Sequence, residues 1–458
     1  MAVPASCKDR KWLSVAATAT NTTIDTGTET ATTRGSSDLE TKAVSFTVMT
    51  YNILCQKLVR RDLFKYASKN SLRWKPRKDR LAEEIGHHNT DIMCLQEVGP
   101  DEWLHILAPQ FKRNSYDSRI FQSLSKSHGV VVAWKKSRFS LVEEASVSMD
   151  RTMEVCGEVL NTDNVALVVV LKLGAETPTD PNASEVASEH RAVLGDGARP
   201  AGVIVSSTHL FWRPAACYQR LQQQVALLRA IRAIQDKYPG YPVISCGDFN
   251  TTPDDAGYDL LTKPRPVALS EWQLDNLLPL HVDSKDSDED GDDNNQEADG
   301  SHASSNVFSY ANVAAAGTAA ESKDMARKRR KLEEQERLID DQLQRDTKLV
   351  QTLVTAIQAD NQPMRSCYDT YADLDPSYRT DQWKGEPIYT NYTSWKGTLD
   401  YIFYTPGLGL EVREILSLPA ESRLKPGLPN EVFSSDHVSI LARFDFSPSC
   451  AIKPTAES

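Results

Sequence analysis

Polar residues of the kinds that hold metal ions and phosphates recur at the ends of short apolar runs along this chain. Asn52 follows Phe46-Thr-Val-Met-Thr-Tyr51, Glu97 closes Ile92-Met-Cys-Leu-Gln96, and His209 follows Val203-Ile-Val-Ser-Ser-Thr208. Asp248 and Asn250 come after Val243-Ile-Ser-Cys-Gly247, Asp400 lies within Gly397-Thr-Leu-Asp-Tyr-Ile402, and Asp436-His437 directly precede the last apolar run. A carboxylate at a strand end can face a cleft while the strand fixes its backbone, the support that a metal or catalytic site needs. Taken singly, each has a plainer reading as an exposed acid, a turn former or a structural histidine. Six repetitions of one placement point instead to a shared rim. Carboxylate and amide oxygens, without a Cys or His cluster of zinc spacing, suit a hard cation such as Mg²⁺ or Mn²⁺ and leave the histidines for the substrate.

The elements that must carry this rim are mostly strands. Apolar runs of strand length, rich in Val and Ile, lie at Phe46–Ile53, Asp91–Val98, Gly129–Trp134, Val165–Leu173, Val203–Leu210, Tyr241–Cys246, Thr398–Tyr404 and Val438–Phe444. Helical patterns interleave at Lys75–His88 and Tyr218–Lys237, the second with Leu221, Val225, Leu228 and Ile231 on one stripe. Nearly all-apolar strands need both faces covered, so the expected α/β fold has two sheets face to face with helices outside them.

The chain has 458 residues, 40% of them hydrophobic and 25% charged, enough for a sizeable core. No apolar run approaches the ~20 residues that a membrane-spanning helix requires, and residues 1–14 lack the apolar stretch of a secretion signal. Eight cysteines include no CxxC pair and are read as reduced and intracellular. The net charge of −11 argues at first against a polyanionic partner, but nine acids against Lys285 between His281 and Asp299 carry −8 of it. The remainder is near neutral, so nucleic acid is not excluded. Residues 1–42, rich in Ser, Thr and Ala, are expected to be a disordered tail, and 447–458 to be a C-terminal tail. The domain of 43–446 is expected to be interrupted by a polar loop at 174–202 and an insertion at 281–346, acidic and then basic. The cluster Ala326-Arg-Lys-Arg-Arg-Lys331 is either a nuclear address or one turn of a solvated helix. Cytoplasm and nucleus are both compatible with the sequence; a mitochondrial address is weaker, lacking an Arg-rich amphipathic helix.

Thr50-Tyr-Asn-Ile-Leu54, Leu95-Gln-Glu-Val98, Ser207-Thr-His-Leu210, Gly247-Asp-Phe-Asn250, Leu399-Asp-Tyr-Ile-Phe403 and Ser435-Asp-His437 occur in this order. That series resembles the endonuclease/exonuclease/phosphatase superfamily of DNase I-like fold, over about residues 43–446. Within it, Thr208-His-Leu-Phe-Trp-Arg-Pro214 and Trp395-Lys-Gly-Thr-Leu-Asp-Tyr-Ile-Phe-Tyr404 resemble the deadenylase and nocturnin branch, particularly the fungal Ngl-type RNA exonucleases. No leucine-rich repeats precede the domain, so docking by that module is not expected; protein partners are unspecified.

The resemblance implies a four-layered α/β/β/α sandwich with two packed mixed sheets. It also implies that Glu97, with Asn52 and Asp436, holds Mg²⁺ (or Mn²⁺) against a phosphodiester oxygen. His437, oriented by Asp400, would act as base or as a cation beside the phosphate. Asp248 would align or deprotonate the attacking water, and His209 and Asn250 would hydrogen-bond the phosphoryl oxygens. Asn164 resembles a further phosphate contact, with a loop cap as the equal alternative. Pro214 and Trp395 occupy positions where that branch sandwiches a base, a mode that favours unstacked single strands. The implied activity is a divalent-metal-dependent 3′-5′ exoribonuclease acting on single-stranded RNA 3′ ends. The alternatives are a phosphatase or phosphodiesterase of the same fold acting on a lipid headgroup or small nucleotide, and a non-catalytic RNA-binding protein.

Overall fold

A computed structural model describes residues 3–15, 43–150, 160–174, 202–279, 323–360 and 362–447. In chain order its strands are β1 (Trp12–Ser14), β2 (Val44–Asn52), β3 (Ile92–Val98), β4 (Tyr116–Gln122), β5 (Gly129–Lys135), β6 (Phe139–Ser148), β7 (Val165–Leu173) and β8 (Gly202–His209). They continue as β9 (Val243–Asp248), β10 (Arg365–Ser366), β11 (Asn391–Tyr392), β12 (Lys396–Gly397), β13 (Asp400–Tyr404), β14 (Leu410–Leu416) and β15 (Ile440–Phe446). One sheet has the order β1-β14-β15-β2-β3-β5-β4 and the other β10-β13-β9-β8-β7-β6. Both are mixed, because β2 and β3 run parallel, as do β8 and β9, while their other neighbours are antiparallel.

The period-2 alternation of the strands builds the layers. Phe46, Val48, Ile92, Cys94, Val130 and Val132 of the first sheet share one core with Leu167, Val169, Val203, Val205, Ile244 and Ile402 from the second. The alternate residues Met49, Tyr51, Met93, Leu95 and Val131 point the other way, onto Leu81 and Ile85 of the helix Trp74–His88 and onto Ile106, Leu107 and Phe111. The helix Cys217–Gln235 buries Leu221, Val225, Leu228 and Ile231 and lies along β6, β7 and β8. The four-layered sandwich expected from the sequence is the fold of the chain.

The boundaries differ in three places. Residues 3–15 are not a tail: β1 pairs antiparallel with β14, Trp12 opposite Leu416, and Arg10 donates to Ser417 O at 2.8 Å and to Ser439 Oγ and O at 2.9 and 2.7 Å. Averaging the Ser/Thr/Ala composition over 42 residues conceals a short edge strand, whose ladder uses backbone groups and needs few apolar side chains. Gly202 belongs to β8, and residues 175–201 of the polar loop, like the acidic part of the insertion, lie outside the described residues. Residues 279–349 form a second compact unit, whose described part is chiefly the start of the helix Lys323–Asp360. Arg327–Lys331 are exposed there, as are Ile339 and Leu343, whereas Val350, Leu353 and Ile357, in the main unit, are buried.

Candidate active site

The strand order brings the polar strand ends to one rim. Asn52 and Glu97 come from the ends of the parallel pair β2 and β3, and His209 lies opposite Asp248 at the ends of the parallel pair β8 and β9. Antiparallel β13 enters this rim with its first residue, Asp400, opposite Asp248. His437 precedes β15, which runs antiparallel to β2. The close approach of β8 and β9 needs Gly247, at φ +154°, where a Cβ would lie 2.2 Å from Thr208 O. Glu97 itself has φ +56° and sits where the β3–β5 register shifts between Leu95 and Val98. Such a conformation costs about 1–3 kcal/mol, and it turns the carboxylate out of the strand's alternation toward the rim.

Asn52 is the hinge of the site. Its Nδ2 donates to Glu97 Oε1 at 2.9 Å and to Asp248 Oδ2 at 3.0 Å, joining the two sheets, while its Oδ1 accepts from Leu54 N at 3.1 Å. It therefore presents nitrogen, not oxygen, to the carboxylates, and it bridges them where the family resemblance implies a metal contact through its amide oxygen. The other Glu97 oxygen accepts from Cys55 N at 3.0 Å. Asp248 Oδ1 accepts from Asn250 N at 3.0 Å, and its Oδ2 lies 3.5 Å from His437 Nε2 and 3.6 Å from His209 Nε2. His437 Nδ1 lies 2.7 Å from Asp400 Oδ2.

Burial sets the charges. It pushes Asp248 up to about 7, with the Asp400 charge adding to the rise. It takes His209 down to about 3, so the His209–Asp248 contact is between a neutral imidazole and a carboxyl group. Burial opposes protonation of His437 too, but Asp400 and Asp248 overcome it and hold the imidazole well above its ordinary range. At Glu97 burial is likewise outweighed, by His209, His128 and the Asn52 amide, and the carboxyl lies below its usual range. Burial raises Asp436, with Glu97 contributing.

A hard divalent cation fits this donor set. Glu97, Asp248 and Asp400 are buried and Asp436 is half-buried beside them, with Asp400 Oδ1 lacking a hydrogen-bond partner among the described residues. The ligand atoms of Asp248, Asp400 and His437 lie within 4.8 Å of one another. That trio differs from the expected Asn52, Glu97 and Asp436. Asp400 Oδ2 is taken by His437, Glu97 Oε1 and Asp248 Oδ2 share the Asn52 amide nitrogen, and Asp400 Oδ1 is the oxygen of these three carboxylates without a partner among the described residues.

The remaining expected residues divide. Asn250, at φ +47°, commits one amide hydrogen to Leu210 O at 2.9 Å. Asn164 donates to His209 O at 2.7 Å and accepts from Lys126 Nζ at 3.2 Å, so it braces the His209 backbone. Pro214 is exposed and its carbonyl accepts from Arg220 at 2.9 Å. Trp395 is 49% exposed on the β11–β12 hairpin, which is stitched to the site by Tyr392 N to Asp436 O and Val438 N to Thr390 O. Three further contributors are absent from the sequence expectations. Thr390 Oγ1 accepts from Leu399 N and Asp400 N. Ser435 Oγ donates to Asn52 O and accepts from His437 N. His128 stands 6.0 Å from His209, ring to ring. Ser435 lies in the motif that supplies His437, and His128 directly precedes β5, so both carry the signal that marks the others.

Comparison gives the family to which this fold and site belong. The model of the Endonuclease/Exonuclease/phosphatase family matches residues 49–437, and the chain belongs to that family. It is similar to a probable RNA exonuclease of Schizosaccharomyces pombe, 26% identical over 437 residues, covering 88% of this chain and 77% of that protein. It is similar also to the RNA exonuclease NGL2 of Saccharomyces cerevisiae, 27% identical over 375 residues, with 78% of this chain and 66% of that protein covered. The crystal structure of ANGEL2, described as a 2′,3′-cyclic phosphatase, shares the fold with a TM-score of 0.54 at 22% identity, over 88% of this chain and 96% of that one.

Proposed function

We propose that the protein is a divalent-cation-dependent 3′-5′ exoribonuclease that hydrolyses RNA phosphodiester bonds to 5′-mononucleotides. The observation that carries this reading is the convergence of Asn52, His209 and His437 on one carboxylate oxygen, Asp248 Oδ2, with Glu97 bonded to the same Asn52 nitrogen. The two relatives described above are named as RNA exonucleases, which supports RNA among the substrates this fold serves. When bound, Mg²⁺ or Mn²⁺ would polarise the phosphoryl group and offset charge on the leaving oxygen, with Glu97 and Asp248 as its carboxylates and Asp436 beside them.

The chain's own groups do the rest. Asp248, carrying a raised pKa, accepts or orients the proton of the attacking water. His437, kept cationic by Asp400, sits where it can stabilise the phosphate and donate to the leaving oxygen. Neutral His209 and the second amide hydrogen of Asn250 supply further donors, and Asn164 holds His209 in place. Trp395 offers a π-face to an unstacked base, with Pro214 as the opposing wall.

Incubating the protein with Mg²⁺ and 5′-labelled RNA should give stepwise shortening from the 3′ end with 5′-mononucleotide products. Intact RNA together with phosphate release from inositol phosphates or loss of the sphingomyelin headgroup would overturn the nuclease reading. A panel of A, U, C and G tails separates poly(A) shortening from processing of ribosomal RNA ends. Such substrates would be met in cytoplasm or nucleus. No described helix is long and apolar enough to cross a membrane.

A further inference from the structure

Between Lys57 and Arg80 the chain carries ten Lys and Arg residues against Asp62 and Asp79, a net of +8 within a protein whose total charge is −11. This stretch is not a solvated tail. It folds around a small core of its own, Leu54, Phe64, Ala67 and Leu72, and Tyr66 fastens it to Leu428 O. On its surface lies a cavity of about 470 Å³ lined by Val59, Arg61, Lys69, Leu72 and Arg73, three cations and no acid. Among the described residues the ion pairs of the stretch are Arg60 with Asp62 and Lys78 with Asp79; the three cavity cations have no such partner.

The cavity wall is tied to the catalytic rim by a chain of hydrogen bonds. Leu72 O accepts from Gln56 Nε2 at 3.2 Å, and Gln56 Oε1 accepts from Arg77 Nη1 at 2.6 Å. Buried Arg77 donates through Nη2 to Leu54 O at 2.6 Å and through Nε to Ser434 O at 2.8 Å. Leu54 N in turn donates to Asn52 Oδ1. Val59 stands about five residues along the chain from Leu54, so the cavity opens within roughly 18 Å of the site's edge. Uncompensated cations crowded into one hollow repel each other and are stabilised by a polyanion that spans them. An extended single strand of a few nucleotides spans a distance of that order.

We infer that this basic cavity is an upstream backbone subsite, in which Arg61, Lys69 and Arg73 hold phosphates of single-stranded RNA a few nucleotides 5′ of the bond being hydrolysed. The inference rests on the RNA nuclease reading and adds where the rest of the strand lies. Contacts of this kind carry no sequence preference and weaken with salt.

The test compares the wild-type chain with the Arg61→Ser/Lys69→Ser/Arg73→Ser variant, and with Lys69→Glu alone should the triple variant melt lower. Two substrates are used, an unstructured RNA long enough to pass the cavity and a dinucleotide too short to reach it. Binding of the long RNA is also followed by fluorescence anisotropy in chelator across a salt series. The triple variant should bind the long RNA roughly tenfold or more weakly, with the slope of log affinity against log salt shallower by about 2, while dinucleotide turnover is unchanged. Unchanged affinity and slope overturn the subsite, as does an equal loss on both substrates. A wild type that cleaves neither RNA, yet whose binding falls in the variant, sinks the nuclease reading and leaves the subsite standing.

Discussion

His437 Nδ1 lies 2.7 Å from Asp400 Oδ2, and both side chains are buried. The carboxylate fixes the ring so that Nε2 faces Asp248, 3.5 Å away, and it opposes the loss of the imidazole proton that burial would otherwise cause. Asp400→Asn keeps the shape and removes the charge. Its kcat on RNA should fall roughly 10²- to 10⁴-fold with little change in KM. A variant turning over at the wild-type rate would remove this pair from the chemistry.

Cation binding should be visible without catalysis. Adding Mg²⁺ or Mn²⁺ to chelator-treated protein should raise its melting temperature, since a ligand at about a hundred times its Kd stabilises by ~2.7 kcal/mol. Glu97→Ala should abolish most of that rise and lower RNA hydrolysis at least ~100-fold. A full cation-induced shift in the variant would show that the ion is held elsewhere.

The Trp395 ring stands 49% exposed on a hairpin bonded to Asp436 and Val438. If it stacks on a base equally in the ground and transition states, Trp395→Ala should raise KM by roughly tenfold or more and spare kcat. A fall in kcat alone would assign the ring to placement of the scissile phosphate.

Glu386 bears on stability rather than on this chemistry. It is buried, and one oxygen accepts from Tyr258 OH at 2.9 Å. Burial, with the Asp369 charge adding, raises its carboxyl from 4.5 to about 8. Between those values the folded protein keeps a proton that the unfolded chain releases, so stability falls as pH rises through this window. Glu386→Gln, which keeps the acceptor for Tyr258, should raise the melting temperature at pH 8 by ~2 °C or more, and by less at pH 5. An equal shift at both values would mean that Glu386 is already ionised in the fold.

Much of the site is legible in the sequence because each functional side chain lies at or beside an end of an apolar run, and a strand's alternation is a local property. Glu97, His209, Asp248, Asp400 and His437 can be placed on one rim once two sheets are expected. The role of Asn52 is not legible: which end of an amide faces a carboxylate depends on Leu54 N and on Asp248, 196 positions away. The bracing of Asp400 by Thr390 and of His209 by Asn164 is hidden for the same reason.

By itself the sequence determined the residue types at the strand ends, the two-sheet architecture with its helical covers, and the family motifs in their order. Tertiary structure alone decided that residues 3–15 close a sheet edge, that Glu97 and Asp248 share one nitrogen, and that Arg61, Lys69 and Arg73 line one hollow. Periodicity is written in neighbouring residues, whereas contacts between atoms are set by the register of strands distant in the chain and by the rotamers that packing leaves available.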